Sequence, residues 1–152
     1  MTGVATGVSV LALLPSQEDQ ASLNEIFWHS KWNLHFVENL GHARVLIDQL
    51  PAGVVISDCR LPDGSWKDVL RELRRRPSEA PLIVASGRVD ERLWGEVLNL
   101  GGYDILTTPF QAQEVVQSVS LAWRHWRDKL MSGGPPAPKT MAAGFASPKL
   151  VW

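Results

Sequence analysis

Short apolar runs alternate with stretches of helical spacing along most of this chain. Five runs are apolar, bounded by turn residues and too short for helices, so they predict strands. The strands are predicted at 8–14, 34–37, 54–57, 82–85 and 104–106. The third run has no polar alternation, which is typical of a strand buried on both faces of a parallel sheet.

Between these runs, apolar residues recur at spacings of three and four, which predicts amphipathic helices. Ser16 and Ser65 each stand three residues before an acidic residue, the pattern of a helix-capping box. Pro51 and Gly101 are stop signals for two of the helices. The helices are predicted at about 17–29, 41–50, 65–76, 90–100 and 112–130.

Alternating strands and helices predict a three-layer α/β domain with a doubly wound, five-stranded parallel sheet and right-handed crossovers. The predicted strand order is 2-1-3-4-5, the flavodoxin-like arrangement. This domain is assigned to residues 1–130. Residues 131–152 are rich in glycine and proline and poor in periodic apolar positions, so we predict a flexible tail there.

The composition of the chain argues against several classes of protein. The chain has 152 residues, enough for one core, and its formal net charge of -1 argues against direct binding to nucleic acid. A single cysteine, Cys59, excludes an internal disulfide. No apolar run has the length of a membrane span and no signal-peptide pattern precedes the first strand, so we expect a cytoplasmic protein.

The candidate chemistry lies where the third strand ends. Asp58 follows that strand directly, and ligand sites of parallel sheets lie beyond the carboxyl ends of the strands. Two interpretations of this segment stay open. Asp58 is either a chemically active carboxylate or a residue that only caps the turn formed by residues 61–64.

With its elements placed, the chain resembles the receiver domain of bacterial two-component response regulators over roughly residues 5–130. Asp58, with a Leu-Pro pair at the third and fourth positions after it, resembles the phospho-accepting aspartate of that family. Ser86 resembles the serine or threonine that hydrogen-bonds the phosphoryl group. Residues 101–110 resemble the segment that carries a lysine before a proline. The resemblance implies a signalling module, not an enzyme, whose partners are a histidine kinase or an output protein.

The same resemblance places substitutions where the family carries charge. An acidic pair holds Mg²⁺ in the family, whereas Leu13 and Leu14 occupy those positions here. Thr108 replaces the lysine, and Ile105 replaces the switch aromatic residue. Leucine supplies no oxygen ligand for Mg²⁺. We therefore expect no cofactor, weak or absent Mg²⁺ binding, and phosphorylation of Asp58 that is weakened or lost.

Several neighbours of Asp58 have a structural as well as a functional interpretation. Glu18 and Asp19 are predicted either to cap the first helix or to reach the cleft. Arg60 and Arg88 border the same strand ends and either supply positive charge or face solvent. Cys59 is interpreted as an inert, partly buried thiol.

Three functions stay open on these residues. The first is an atypical receiver that acts by protein contact, through the face of the fourth helix, fifth strand and fifth helix that the resemblance implies. Four aromatic residues belong either to that face or to the core, with the core preferred for Trp123: Trp94, Tyr103, Trp123 and Trp126. The second is a working receiver that takes phosphate from a histidine kinase on Asp58. The third is a small α/β enzyme or nucleotide-binding domain, against which the missing Gly-rich loop after the first strand argues.

Overall fold

The computed structural model describes residues 8–30, 32–49, 52–77 and 79–132. The strands are β1 (Ser9–Leu13), β2 (Asn33–Val37), β3 (Val54–Asp58), β4 (Arg60–Leu61), β5 (Gly64–Ser65), β6 (Leu82–Ser86) and β7 (Asp104–Thr107). The helices are α1 (Gln17–Ser30), α2 (Leu40–Gln49), α3 (Trp66–Arg74), α4 (Glu91–Leu100) and α5 (Ala112–Ser132).

Five strands form one parallel sheet in the order β2-β1-β3-β6-β7. β4 and β5 form a separate antiparallel pair in the turn after β3, so β6 and β7 are the fourth and fifth predicted strands. The predicted α/β class and strand order are therefore confirmed. In register, Leu13 of β1 lies beside Ser57, and Asp58 lies beside Ala85 of β6. The carboxyl ends of these strands consequently meet at one edge of the sheet.

Two apolar layers cover the two faces of the sheet. Leu13 belongs to the layer that α2, α3 and α4 complete, and Leu14 belongs to the layer that α1 and α5 complete. Successive strand residues point to opposite faces, which is why neighbours in sequence enter different layers. Both leucines have no exposed surface. The end of β1 is thus part of the core.

The structure decides between the surface and the core interpretation for two of the four aromatic residues. Trp94 is only 3% exposed and packs in the layer beneath α4, so it does not belong to an exposed face. Tyr103 is also buried, with its ring centroid 5.8 Å from that of His125. Trp123 and Trp126 are half-buried against the sheet layers. Burial of an amphipathic helix's aromatic stripe explains this placement.

The helix-capping patterns predicted from the sequence form to different extents in the structure. Ser65 makes a complete capping box: its Oγ accepts from the Lys67 N–H at 3.2 Å, and its own N–H donates to Asp68 Oδ2 at 3.0 Å. At α1, Ser16 Oγ accepts from the Asp19 N–H at 3.3 Å. α4 stops at Gly101, whose φ of 104° lies in the left-handed region that favours glycine.

The arginine run at the end of α3 takes part in ion pairs within the domain. Glu72 is buried, and it pairs with Arg44, Arg75 and Arg76 at 2.9, 3.6 and 3.1 Å. Burial disfavours the charged form of Glu72, but hydrogen bonds from Arg44 and Arg76 outweigh it and lower the pKa of this carboxyl. The run therefore ties α2 and α3 together.

The C-terminal boundary is shifted slightly from the predicted one. α5 continues to Ser132, two residues beyond the predicted end of the domain at 130. The rest of the predicted tail, 133–152, lies outside the described residues. Within the described ranges, no helix combines the length and the apolar character that crossing a membrane requires.

Candidate functional site

Asp58 is the last residue of β3 and is half-buried. Its Oδ1 accepts a hydrogen bond from the Arg60 N–H at 3.2 Å. Ser57 Oγ donates to the Asp58 carbonyl at 2.9 Å. In the described part of the chain, Oδ2 of Asp58 accepts no protein hydrogen bond. Asp58 therefore caps the turn with one oxygen, and its role as a chemically active carboxylate stays a prediction.

An open depression of about 620 Å³ lies between the end of β3 and the loop that leads from β6 into α4. Asp58 and Ser86, which the sequence resemblance paired, both line it. Three arginines line it as well: Arg60, Arg88 and Arg92. Asp90 and Glu96 also line it, so the structure brings the predicted acceptor and the predicted hydroxyl together among charged side chains of both signs.

Ser86 ends β6 and is tied to the turn that follows. Its Oγ accepts from the Arg88 N–H at 3.1 Å and lies 3.2 Å from the Arg88 carbonyl, to which it donates. Thr108, the residue in the lysine position, donates its N–H to the Ser86 carbonyl at 3.0 Å. A Cβ on Gly87 would lie 3.3 Å from Thr108 Oγ1, so the threonine stands behind the depression's wall. The Thr108–Pro109 peptide is cis.

Leu13 and Leu14 stand at the edge of the sheet where the resemblance places an acidic pair. The Leu14 N–H donates to the Val37 carbonyl at 3.1 Å, and its own carbonyl accepts from Gln20 Nε2 at 2.6 Å. Both side chains are fully buried. This end of β1 therefore presents apolar carbon, and its polar backbone groups are already engaged.

Asp19 lies within electrostatic range of Asp58, although it does not line the depression. Partial burial raises the pKa of Asp19, and the negative charges of Asp58 and Glu18 raise it further. Asp19 also donates its backbone N–H to the Ser16 cap, so it contributes to both roles.

The donor set does not fit the Mg²⁺ that the family resemblance implies. Mg²⁺ prefers near-octahedral oxygen ligands. Where the family resemblance implies three acidic groups, this chain has Asp58, with Asp19 within electrostatic range of it. Among the residues the structure describes, no group of three or more histidine, cysteine or acidic side chains is arranged to hold a metal ion.

Cys59 lies beside Asp58 and is half-buried. Burial raises the pKa of its thiol, and the nearby Ser86 opposes this only in part. A raised pKa keeps the thiol protonated and unreactive at neutral pH. The geometry agrees with the inert thiol interpreted from the sequence.

Two features of the site escaped the sequence analysis. Arg92 lies on the wall because the first turn of α4 directly follows the loop that carries Arg88, and no pattern in the sequence indicates this placement. Asp63, in the turn after β4, accepts the Leu40 N–H at 2.8 Å and the Gly41 N–H at 3.0 Å. The bond from Leu40 is the main cause of the lowered pKa of Asp63. The loop after Asp58 is thereby fixed to the start of α2.

Known proteins share both the sequence pattern and the fold. The family model described as the response regulator receiver domain matches residues 16–120. The response regulator protein PilR of Pseudomonas aeruginosa is 30% identical over 96 residues, which cover 62% of this chain and 21% of PilR. The transcriptional regulatory protein FixJ of Bradyrhizobium diazoefficiens is 29% identical over 85 residues, which cover 54% of this chain and 42% of FixJ. The matched regions therefore span less than half the length of these curated relatives.

Solved structures show the same architecture. The signal receiver domain of an HD domain-containing protein from Pseudomonas fluorescens Pf-5 is similar with a TM-score of 0.73 and 21% identity, covering 81% of this chain and 91% of that one. The beryllofluoride-activated NtrC4 receiver domain dimer is similar with a TM-score of 0.71 and 19% identity, and the match covers 78% of this chain and 98% of that one. At these identities the likeness shows the fold alone.

The family match spans most of the described residues and coincides with a sheet of the receiver order and an aspartate at the end of its third strand. This chain belongs to the response regulator receiver-domain family of two-component systems.

Proposed function

We propose that this receiver domain signals by contact with other proteins and that phosphorylation of Asp58 is weakened or lost. The observation that carries the proposal is the full burial of Leu13 and Leu14 at the strand end where the family resemblance places the acidic Mg²⁺ pair. The partner is a histidine kinase or an output protein. The module is not an enzyme, acts in the cytoplasm and does not touch nucleic acid directly.

The chemistry of phosphoryl transfer supports this proposal. A carboxylate that attacks a phosphoryl group brings negative charges together, so catalysis depends on positioning and on neutralising charge. A metal's charge stabilisation is worth several kcal/mol. At about 1.4 kcal/mol per factor of ten, its loss slows phosphorylation by roughly a thousandfold or more. Thr108 supplies no charge in place of the lysine.

A second function is favoured by one observation at the same site. Asp58 and Ser86 share an open depression with three arginines. In this alternative, the guanidinium groups neutralise the incoming phosphoryl group in place of Mg²⁺ and lysine, and the chain is a working receiver that takes phosphate from a histidine kinase on Asp58.

Intact-mass measurement separates the two functions. The chain, its Asp58→Asn variant and a receiver domain with an intact acidic pair are incubated with acetyl phosphate, each with and without Mg²⁺. The proposal expects at least a thousandfold slower phosphoryl addition than in the intact receiver, with no acceleration by Mg²⁺. Rapid addition of one phosphoryl group that Asp58→Asn abolishes would instead support the working receiver.

A fluorescence titration provides an independent readout, since tryptophan is abundant in this chain. We expect neither saturable Mg²⁺ binding nor a beryllofluoride-dependent change in tryptophan emission. A saturable response that requires both additives and disappears in Asp58→Ala would contradict the weakened site.

A further inference from the structure

A cavity of about 460 Å³ lies at the edge of the sheet opposite Asp58, where the strands begin. It is enclosed by the ends of α2 and α3, by the segments that lead into β3 and β6, and by the last two turns of α5. Its described lining shares no residue with the depression at Asp58. The proposed function does not use this cavity.

Most of the described lining of the cavity is apolar. Val55, Leu73 and Ala80 are buried residues of the sheet layer that α2, α3 and α4 complete. Trp126 and Leu130 belong to α5 and lie one turn apart on it. An apolar group placed in the cavity would therefore extend an existing core layer.

The charged groups at the cavity are engaged with each other. Asp48 Oδ1 accepts a hydrogen bond from Arg76 Nε at 2.9 Å, and Arg76 also donates to Glu72 Oε1 at 3.1 Å. Asp48 and Arg76 carry opposite charges, so this pair adds no net charge to the lining. Because the paired charges need no further partner, the cavity suits an apolar occupant better than a charged ligand.

The indole of Trp126 forms a wall of the cavity in a defined position. A Cβ on Gly53 would lie 2.8 Å from Trp126 Cε3, closer than side-chain carbons approach, so this packing requires glycine. Trp126 is nevertheless only half-buried, and Leu130 is 47% exposed. The described residues thus leave apolar surface of α5 accessible beside the cavity.

We propose that residues 148–152 of this same chain occupy the cavity, with Leu150, Val151 and Trp152 against its apolar walls. These are three consecutive large apolar residues, whereas residues 133–149 are mostly glycine, proline, alanine and polar residues. Tryptophan covers more apolar surface than most other side chains, and a docked segment is what orders the end of a helical domain. The segment is therefore suited to cover Trp126 and Leu130.

The attachment of this segment favours the same chain over another molecule as the source of the occupant. Residues 133–147 connect it to Ser132, where α5 ends, and Leu130 lies about 3 Å before that end along the helix axis. A flexible connection of about 15 residues spans roughly 20 Å. The cavity is within that reach, and tethering gives the segment an effective concentration on the order of millimolar.

Nuclear magnetic resonance spectra of the full chain test the docking through the backbone amide signals of the cavity. In Trp152→Ser, the signals of Ala52 and Ala80 are expected to shift, because an aromatic ring leaves their surroundings. The signal of Asp58, at the opposite edge of the sheet, is expected to stay in place. Phe145→Ser is the matched control, since it removes an aromatic residue of the same stretch outside the proposed segment.

A pair of substitutions on α5 tests the cavity wall. Leu130→Ser removes part of the wall and is expected to move the indole N–H signal of Trp152 toward its position in a free peptide of residues 146–152. Met131→Ser is expected to leave that signal unchanged, because Met131 is 79% exposed and does not belong to the described lining. Both side chains are largely exposed, so neither substitution is expected to unfold the domain.

Dilution identifies the molecule that supplies the segment. Spectra that do not change on dilution support a segment of the same chain. Signals that move on dilution toward those of Trp152→Ser would assign the segment to a second copy and overturn the proposal. Unshifted signals of Ala52 and Ala80 in Trp152→Ser, or an equal shift in Phe145→Ser, would also overturn it and leave the cavity to another protein.

Discussion

β1 and β3 are neighbours in the sheet and end at the same edge, yet their ends differ completely in character. Leu13 and Leu14, at the end of β1, have no exposed surface. Asp58, at the end of β3, is half-buried and opens onto a depression lined by arginines. A phosphoryl site needs polar groups from both ends. This edge keeps the acceptor on one strand, while the neighbouring strand has become core.

The loops that follow the two strands differ in how many hydrogen bonds hold them. After β3, Asp63 accepts two backbone N–H groups at the start of α2, and Ser65 begins α3 with a complete capping box. After β1, Ser16 accepts one N–H at 3.3 Å, and Gln20 donates to the Leu14 carbonyl. The loop that presents Asp58 is therefore the more firmly held of the two. These contacts hold the backbone around Asp58 in a defined position.

The strongest way to break this comparison is to return a carboxylate to the end of β1. Leu13→Asp is expected to lower the free energy of unfolding by about 3 kcal/mol or more, because a polar group would be buried without a partner. Urea denaturation at pH 7 measures the change. Leu13→Ala, expected to cost about 2–5 kcal/mol, accounts for the lost packing. If Leu13→Asp were as stable as the unsubstituted chain, this strand end would not be core.

A smaller effect sharpens the comparison of the two loops. Ser65→Ala removes one half of a capping box and is expected to destabilise the protein by about 1 kcal/mol. Ser16→Ala, which removes a single long hydrogen bond, is expected to cost about half as much. Paired urea denaturation curves give both values. Equal losses would show that the two loops are held equally well.

The smallest expected effect concerns the interaction between two acidic residues, Asp19 and Asp58. The pKa of Asp19 is raised in the folded protein from its ordinary value of 3.8, so folding disfavours its charged form. This cost is absent below pH 3.8, grows as pH rises through the folded pKa, and is fully present at neutral pH. Asp19→Asn is therefore expected to stabilise the protein at pH 7 by a few tenths of a kcal/mol, because the group is largely solvent-screened.

Denaturation curves across the acid range test this sign. The gain from Asp19→Asn should vanish below the ordinary pKa of aspartate. Asp58→Asn removes the main charge that acts on Asp19. It should also raise the free energy of unfolding at pH 7, and Asp19→Asn should then add less to a chain that already carries Asp58→Asn. Full additivity of the two substitutions would mean that the carboxylates do not interact.

Most of the fold could be predicted because its signals are local. Apolar runs in place of alternating ones indicated a parallel sheet, and the Ser65 pattern and Gly101 marked helix ends that the structure realises. The short β4–β5 pair was missed, since two-residue strands carry no periodicity. The sequence left open whether Trp94 lies on a surface or in the core, because spacing along a helix does not say which aromatic residue the sheet covers, and the structure buries it.

At the candidate site, the sequence by itself determined which groups are present: Asp58 after a buried strand, Ser86 after the next, and leucine where charge was expected. Only the tertiary structure decided that Asp19 lies within electrostatic range of Asp58 and that Arg92 joins Arg60 and Arg88 on one wall. It also decided that these arginines make no ion pair with a described residue. Charges interact through space, and pairing depends on which side chains separate elements bring within about 4 Å. Chain order records residue types and spacing, whereas the surroundings of Asp58 come from loops and helices that meet only when the sheet is assembled.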